Sequence, residues 1–217
     1  MKTVSIIGDA YLQPAVDLLD KTFTTSRPRW RTQIKVISYE NGCAAGSCML
    51  AMLCLESYIV RLAYIKKATQ NRTRLNALNF FAAQYPTYHG LERIREAFVL
   101  RDVLAHNHLW EIETATNRSR DEIIVGAVLH SCSGDKKLQQ SLDQRTRRTK
   151  RTRIHVIPFQ VGREDAVKIH EIVFQALRHM ENDDITVCQA SHLRVHFRRK
   201  YRLWHEVIGE MKSLAKK

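Results

Sequence analysis

The stretch from Leu91 to Ile112, LERIREAFVLRDVLAHNHLWEI, restricts the fold of this chain more than any other. Leu91, Ile94, Phe98, Ala105, Leu109 and Ile112 recur at three- and four-residue spacing, as on one face of a helix. Between Ala97 and Ala105 the chain is apolar nearly all round, and a helix of that kind is buried. Arg101 and Asp102 interrupt the run, and His106, Asn107 and His108 follow it. Arg101 shares the stripe of Leu91, Ile94 and Phe98, where a solvated charge does not belong. A guanidinium there needs an internal partner or a ligand.

Two readings stay open at this point. In one, Arg101 forms an internal ion pair and neighbouring groups satisfy the histidines. In the other, the arginine offers its fork of donors to phosphate oxygens, beside a side chain that titrates near neutral pH. Asp102 precedes His106 by four residues, within helical reach, and can orient the ring. A phosphate clamp beside a proton shuttle suits phosphodiester chemistry.

Arg101-Asp102-Val103-Leu104-Ala105-His106 resembles the signature of HEPN-domain proteins, an Arg followed four to six residues later by His, with a polar residue directly after the Arg. Upstream, YENGCAAGSCMLAMLCLESYIVRLAYI resembles the long earlier helix of such domains. Downstream, IHVIPFQVGREDAVKIHEIVFQAL resembles their closing segment and last core helix. The likeness spans Tyr39 to Glu181 of one domain running from 1 to 217, with 1–38 an N-terminal extension and 192–217 a basic C-terminal helix. It implies an all-α, antiparallel helical bundle with a small irregular or β insertion. It also implies a metal-independent endoribonuclease, or in inactive members an RNA- or nucleotide-binding protein. In the implied reaction a ribose 2′-OH attacks the adjacent phosphorus. His106 acts as general base or acid, Arg101 stabilises the charged phosphorane, and Asp102 and Asn107 position them. By analogy, the biology would be phage defence or a toxin–antitoxin system, with an antitoxin or other regulatory protein as partner.

Charge points the same way. The formal net charge is +13, which argues for a polyanionic partner, nucleic acid before a membrane surface. Hydrophobic residues make up 44% of the chain, enough for a real core. The five cysteines (Cys43, Cys48, Cys54, Cys132 and Cys188) are odd in number and include no Cys-x2-Cys pair, so neither a disulfide framework nor a zinc ribbon is suggested. A reducing cytoplasm fits best. The N-terminal apolar run is too short for a signal peptide, and the uncharged stretch Gly42–Leu55 is too short to span a bilayer. The expectation is a soluble protein with no membrane partner.

In chain order, Asp9 caps a first helix whose start Pro14 limits to about Gln13. Ser26–Arg31 reads as a loop with Arg27, Arg29 and Arg31 around Trp30, a set that either grips RNA or simply packs. A long helix runs from Tyr39 to Lys67. Gly42 and Gly46 within it invite another helix close, and Glu56 and Arg61 are suited to boundary salt bridges or to pairing with Arg101. Asn71–Tyr85 makes a short helix closed by Pro86 and Gly90. Thr114–Gly134 is open, since Ile123–Leu129 suits strand or helix equally. Arg145, Arg147, Arg148, Lys150, Arg151 and Arg153 form a charge run, read either as a solvated loop or as RNA contacts. Ile154–Val161 suits a short strand, Glu164 or Asp165 starts a further helix, and an amphipathic basic helix spans His192–Leu214.

Other constellations carry less. His192-x3-His196 has metal-ligand spacing but no intervening Glu, and cations surround it, so no metal is expected. There is no Walker-type loop, and no cofactor is called for. On a straight helix Arg101 and His106 are separated by roughly 7.5 Å of rise and about 140° of rotation, so one helix does not aim both at one atom. This fits the family habit of composing a site across a twofold homodimer. Two other functions remain: a noncatalytic RNA-binding or assembly module, and a basic helical regulator binding DNA through its C-terminal helix.

Overall fold

In the computed structural model, which describes residues 8–24, 38–67, 75–106, 110–116, 122–129 and 136–216, the long apolar segment forms helix α2 (Ser38–Ile65). Ala44, Cys48, Ala51, Leu55, Ile59 and Leu62 repeat at helical spacing along it, each at most 1% exposed. Around it pack α1 (Gly8–Thr24), α3 (Ala77–Gln84), α4 (Leu91–His106) and α6 (Arg163–Asp183). The whole helix, unlike its uncharged part, is long and apolar enough to cross a bilayer. Here 56% of its most apolar window is buried among those neighbours, as in the core helix of a soluble protein.

The fold is mostly helical with small strands. Residue pairings set the helix directions. Ser47 meets Ala15 and Tyr58 meets Asp9, so α1 and α2 run antiparallel. Glu40 meets Arg163 and Ser47 meets His170, so α2 and α6 run the same way. The directions are therefore mixed rather than antiparallel throughout. Of the two glycines expected to admit a neighbour, Gly46 does: a Cβ there would lie 2.9 Å from Leu18 of α1. Gly42 faces open space.

A buried polar chain ties four helices together. Trp204, at the start of α7 (Trp204–Ala215), donates its indole N–H to His170 Nδ1 at 3.3 Å. His170 Nε2 lies 2.8 Å from Ser47 Oγ, which in turn donates to the Ala15 carbonyl at 2.7 Å. Because the serine proton is committed to Ala15, the ring must donate from Nε2 and accept at Nδ1. The imidazole is thus held neutral with both nitrogens used. Nearby, the fully buried Glu40 takes the Arg163 backbone N–H and both Nε and Nη2 of its guanidinium, joining the starts of α2 and α6.

Helix α4 is buried on two sides. Ile94, Ala97, Phe98 and Leu100 join the main core. Val99 and Val103 form a second, small core with Leu138, Leu142 and Val156. These come from the insertion after α4, which contains α5 (Lys136–Ser141) and the two-residue strands β3 (Leu142–Asp143) and β4 (Arg148–Thr149). The apolar surface of this helix is therefore covered by the same chain.

Several boundaries differ from expectation. Helix α4 stops at His106, and Trp110–Thr116 is strand β1, paired antiparallel with β2 (Glu122–Leu129). Helix α1 begins at Gly8 and passes through Pro14, which leaves only the Ala10 carbonyl without its usual helical partner. Ile154–Val161 makes a single bridge, at His155, and a 3-10 turn at Pro158–Gln160, because Pro158 lacks the N–H a strand needs. The final helix is only Trp204–Ala215. Its expected first half is instead the hairpin of β5 (Arg194–Phe197) and β6 (Lys200–Leu203), with Val195 and Phe197 inward and Arg194 and His196 outward.

Complete burial pushes the His170 pKa down from 6.5 to about 3. The unfolded chain therefore takes up a proton there that the folded chain refuses. This contribution to stability is intact above pH 6.5 and fades as pH falls from 6.5 towards 3, by about 1.4 kcal/mol per unit. Denaturant melts at pH 7 and pH 5 should differ by ~2 kcal/mol from this residue alone. His170→Gln, less stable at pH 7, should show a flatter dependence between those values. Equal slopes for both proteins would remove the neutral-imidazole account.

Candidate functional site

Arg101 lies in the third turn of α4 with its guanidinium spread over the Phe98 ring, 4.8 Å from the centroid. Its Nε and Nη2 donate to Asp102 Oδ1 at 3.0 and 2.6 Å, and its Nη1 donates to Glu56 Oε2 of α2 at 2.8 Å. Partial burial disfavours the charged guanidinium, but the hydrogen bonds and charges of Asp102 and Glu56 outweigh it and raise its pKa. The arginine is thus a fixed cation in a boundary position, its side chain 23% exposed. Asp102 gives its carboxylate to Arg101.

The exposed edge of this cluster opens into a cleft of about 760 Å³. Arg101, Asp102 and Glu56 line one part of it, and Lys150 and Arg151 from the basic run line another. Two features read separately in the sequence therefore share one concave surface. Glu96 explains how. It follows the same helical stripe as Val99 and Val103 and is 4% exposed. Its carboxylate accepts the backbone N–H groups of Arg151 and Thr152 at 2.8 and 2.7 Å, and the Thr152 hydroxyl at 2.7 Å. A carboxylate on an apolar stripe must find donors, and here it finds the tip of the basic segment.

The rest of the basic run divides. Arg153 is engaged by Asp143 at 2.8 Å, and Arg147 and Arg153 both adopt left-handed backbone conformations that shape the turns. The Arg145 backbone N–H donates to Asp143, and Arg148 lies in β4 opposite Asp143. None of these four lines the cleft. The run is neither a free loop nor one uniform surface; only Lys150 and Arg151 face the Arg101 cluster.

His106 is the last residue of α4, exposed, and outside the cleft lining. Among the described residues it has no hydrogen-bond partner, and Asp102 is turned to Arg101 instead. Asn107, His108 and the Ser26–Arg31 segment with Trp30 lie outside the described residues. Trp110 packs on the small core, its buried indole N–H unpaired among the described residues. Cys43, Cys48, Cys54 and Cys188 are buried, and burial pushes up the thiols of Cys48, of Cys54 to about 12 and of Cys188 to about 11, so the last three are poor nucleophiles. His192 and His196 fall on a 3-10 turn and a strand, so their spacing is not that of a helical ligand pair. The residue that sequence reading passed over is Glu96, whereas the pairing of Glu56 with Arg101 is one the sequence offered. The signal for Glu96 was available in its stripe with Val99 and Val103.

Replacing Glu96 with Gln keeps the size but leaves one acceptor oxygen for three donors and turns an amide NH2 towards the others. The loss should be about 3 kcal/mol. Hydrogen exchange should show it first at the Arg151 and Thr152 amides, before the α2 and α6 amides respond. Unchanged exchange at those two positions would mean that Glu96 does not anchor the basic segment. Comparison with protein-family models, with curated proteins and with solved structures gives no match to this chain.

Proposed function

We propose that the chain is a HEPN-like, metal-independent endoribonuclease that uses Arg101 and His106. The observation that carries the reading is the cleft itself. It sets the Arg101 guanidinium at the edge of a buried helix, facing Lys150 and Arg151, which a carboxylate anchors from beneath. Such an arrangement suits a phosphodiester held between a fixed fork of donors and two flexible cations. To bind it, Arg101 exchanges a carboxylate contact for non-bridging phosphate oxygens. The 2′-OH then loses its proton to a base and attacks phosphorus. The bond to O5′ breaks, and O5′ leaves with a proton from an acid.

His106 is the residue suited to move these protons. It sits one turn and a half beyond Arg101, at the exposed end of α4 and away from the cleft lining. A single protomer therefore offers Arg101 and His106 to different directions, and a homodimer that brings a second His106 to the cleft completes the site. The mostly helical fold with small strands is compatible with a helical bundle carrying a small β insertion, as this reading requires. A toxin or defence effector in the cytoplasm, held by an antitoxin or other regulatory protein, is the biology that accompanies this reading.

One observation weighs for the reading of Arg101 as an internal ion pair. The cleft lining contains four carboxylates (Glu56, Glu92, Glu96 and Asp102) against four cations, so it does not attract phosphate by net charge. The DNA-regulator alternative has lost its motive, because Arg194 to Lys200 lie on the β5–β6 hairpin rather than on a recognition helix.

Purified chain with labelled RNA in EDTA should release fragments ending in a 2′,3′-cyclic phosphate and a 5′-hydroxyl. A 2′-deoxy sugar at the cut should block release. Arg101→Ala should lower cleavage at least a hundredfold while costing only about 1–2 kcal/mol of stability, since the stranded Glu56 and Asp102 both reach solvent. His106→Ala should match it in rate with almost no loss of stability. Parental cleavage by the folded fraction of either variant would show that these residues do not perform the reaction.

A further inference from the structure

The β5–β6 hairpin presents a second surface that the cleft does not use. Register pairs His196 with Tyr201, so both project from the outward face with Arg194. Tyr201 is 66% exposed, the highest value among the exposed large hydrophobics of the described residues. Between this face and α1 lies a groove of about 720 Å³, lined in part by His192, Arg194, His196 and Tyr201. The hairpin is held rigidly beside α1: the Gln13 carboxamide donates to the His196 carbonyl at 2.9 Å and accepts its N–H at 2.7 Å. The acids on the α1 wall are engaged, Asp9 by the Tyr58 hydroxyl and Asp17 by Gln13.

The two-residue turn is the telling detail. Arg198 and Arg199 both adopt positive φ, 48° and 66°, where glycine or asparagine is the usual occupant. Arg198 has structural work: it stacks on Phe197 and pairs with Asp20 and Glu210. Arg199 is exposed and, among the described residues, pairs with nothing. Arg194 and Lys200 are likewise without ion-pair partners there. A strained, unpaired cation at the tip of a rigid ribbon contributes nothing to the fold that glycine would not supply better.

We propose that this face binds single-stranded RNA, with a base stacked on Tyr201 and phosphates held by Arg194 and, at the turn, Arg199. An exposed aromatic ring among cations is the arrangement that grips single strands without reading sequence. The inference shares an RNA partner with the nuclease reading but not its chemistry, and it places an anchoring site away from the cut.

The test uses the full chain and a 12-nucleotide oligouridylate with 2′-O-methyl riboses, which cannot be cleaved by 2′-OH attack. Tyr201→Ala should weaken binding about 5- to 150-fold, and Tyr201→Phe should restore it. Arg199→Gly should lower the slope of log K against log salt by about 0.7 while raising Tm by about 2 °C, because it relieves the turn. Binding insensitive to Tyr201 and Arg199 overturns the surface, even if the chain cuts ordinary RNA in the cleft. Binding that depends on them in a chain that cuts nothing supports the surface and sinks the nuclease. A chain that does not bind the oligomer at all overturns the surface.

Discussion

Helix α4 cannot turn a face to water along its middle, and much else follows from that constraint. Its Ile94–Phe98–Leu100 side closes the main core and its Val99–Val103 side closes the small one. Each fully buried Val or Leu side chain here contributes roughly 1.5–3 kcal/mol. Polar groups on such a helix must therefore be paired. Glu96 holds the basic segment, and Arg101 is bound by Glu56 and Asp102. The same pairing that makes these charges tolerable brings Lys150 and Arg151 over the arginine. Stability and the shape of the cleft thus have one cause.

The second organising feature is the neutral His170 chain through α1, α2, α6 and α7. It fixes a parallel α2–α6 pair that side-chain hydrophobicity alone does not specify, since apolar stripes pack in either direction. A polar chain with every donor and acceptor used selects one arrangement among many.

What the sequence revealed follows the strength of its periodicity. Helix α2, apolar over many turns, was legible within two residues or so of both ends, and α6, with Val167, Val173, Ala176, Leu177 and Met180 inward, was legible at its start. The C-terminal hairpin was not. Val195 and Phe197 alternate over too few residues to compete with a helical reading, and Arg198-Arg199 carries none of the usual turn chemistry. The end of α4 was missed because Leu109 and Ile112 continue its stripe, although Trp110, Ile112, Thr114 and Thr116 also alternate as a strand does. At the site, Arg101 stood out as a charge on an apolar stripe, and the boundary salt bridge with Glu56 was among the readings weighed. The placement of Lys150 and Arg151 was invisible, because it depends on a contact with Glu96 across 55 residues.

The central claim is that a guanidinium from one protomer and an imidazole from its partner meet on one phosphate. Mixing Arg101→Ala and His106→Ala protomers tests it directly. If each site takes its arginine from one chain and its histidine from the other, half of the redistributed dimers carry one intact site of two. Inactive variants should then regain about a quarter of parental RNA cleavage on mixing. A mixture no more active than either variant alone would contradict the shared site and return Arg101 to the role of a boundary ion pair.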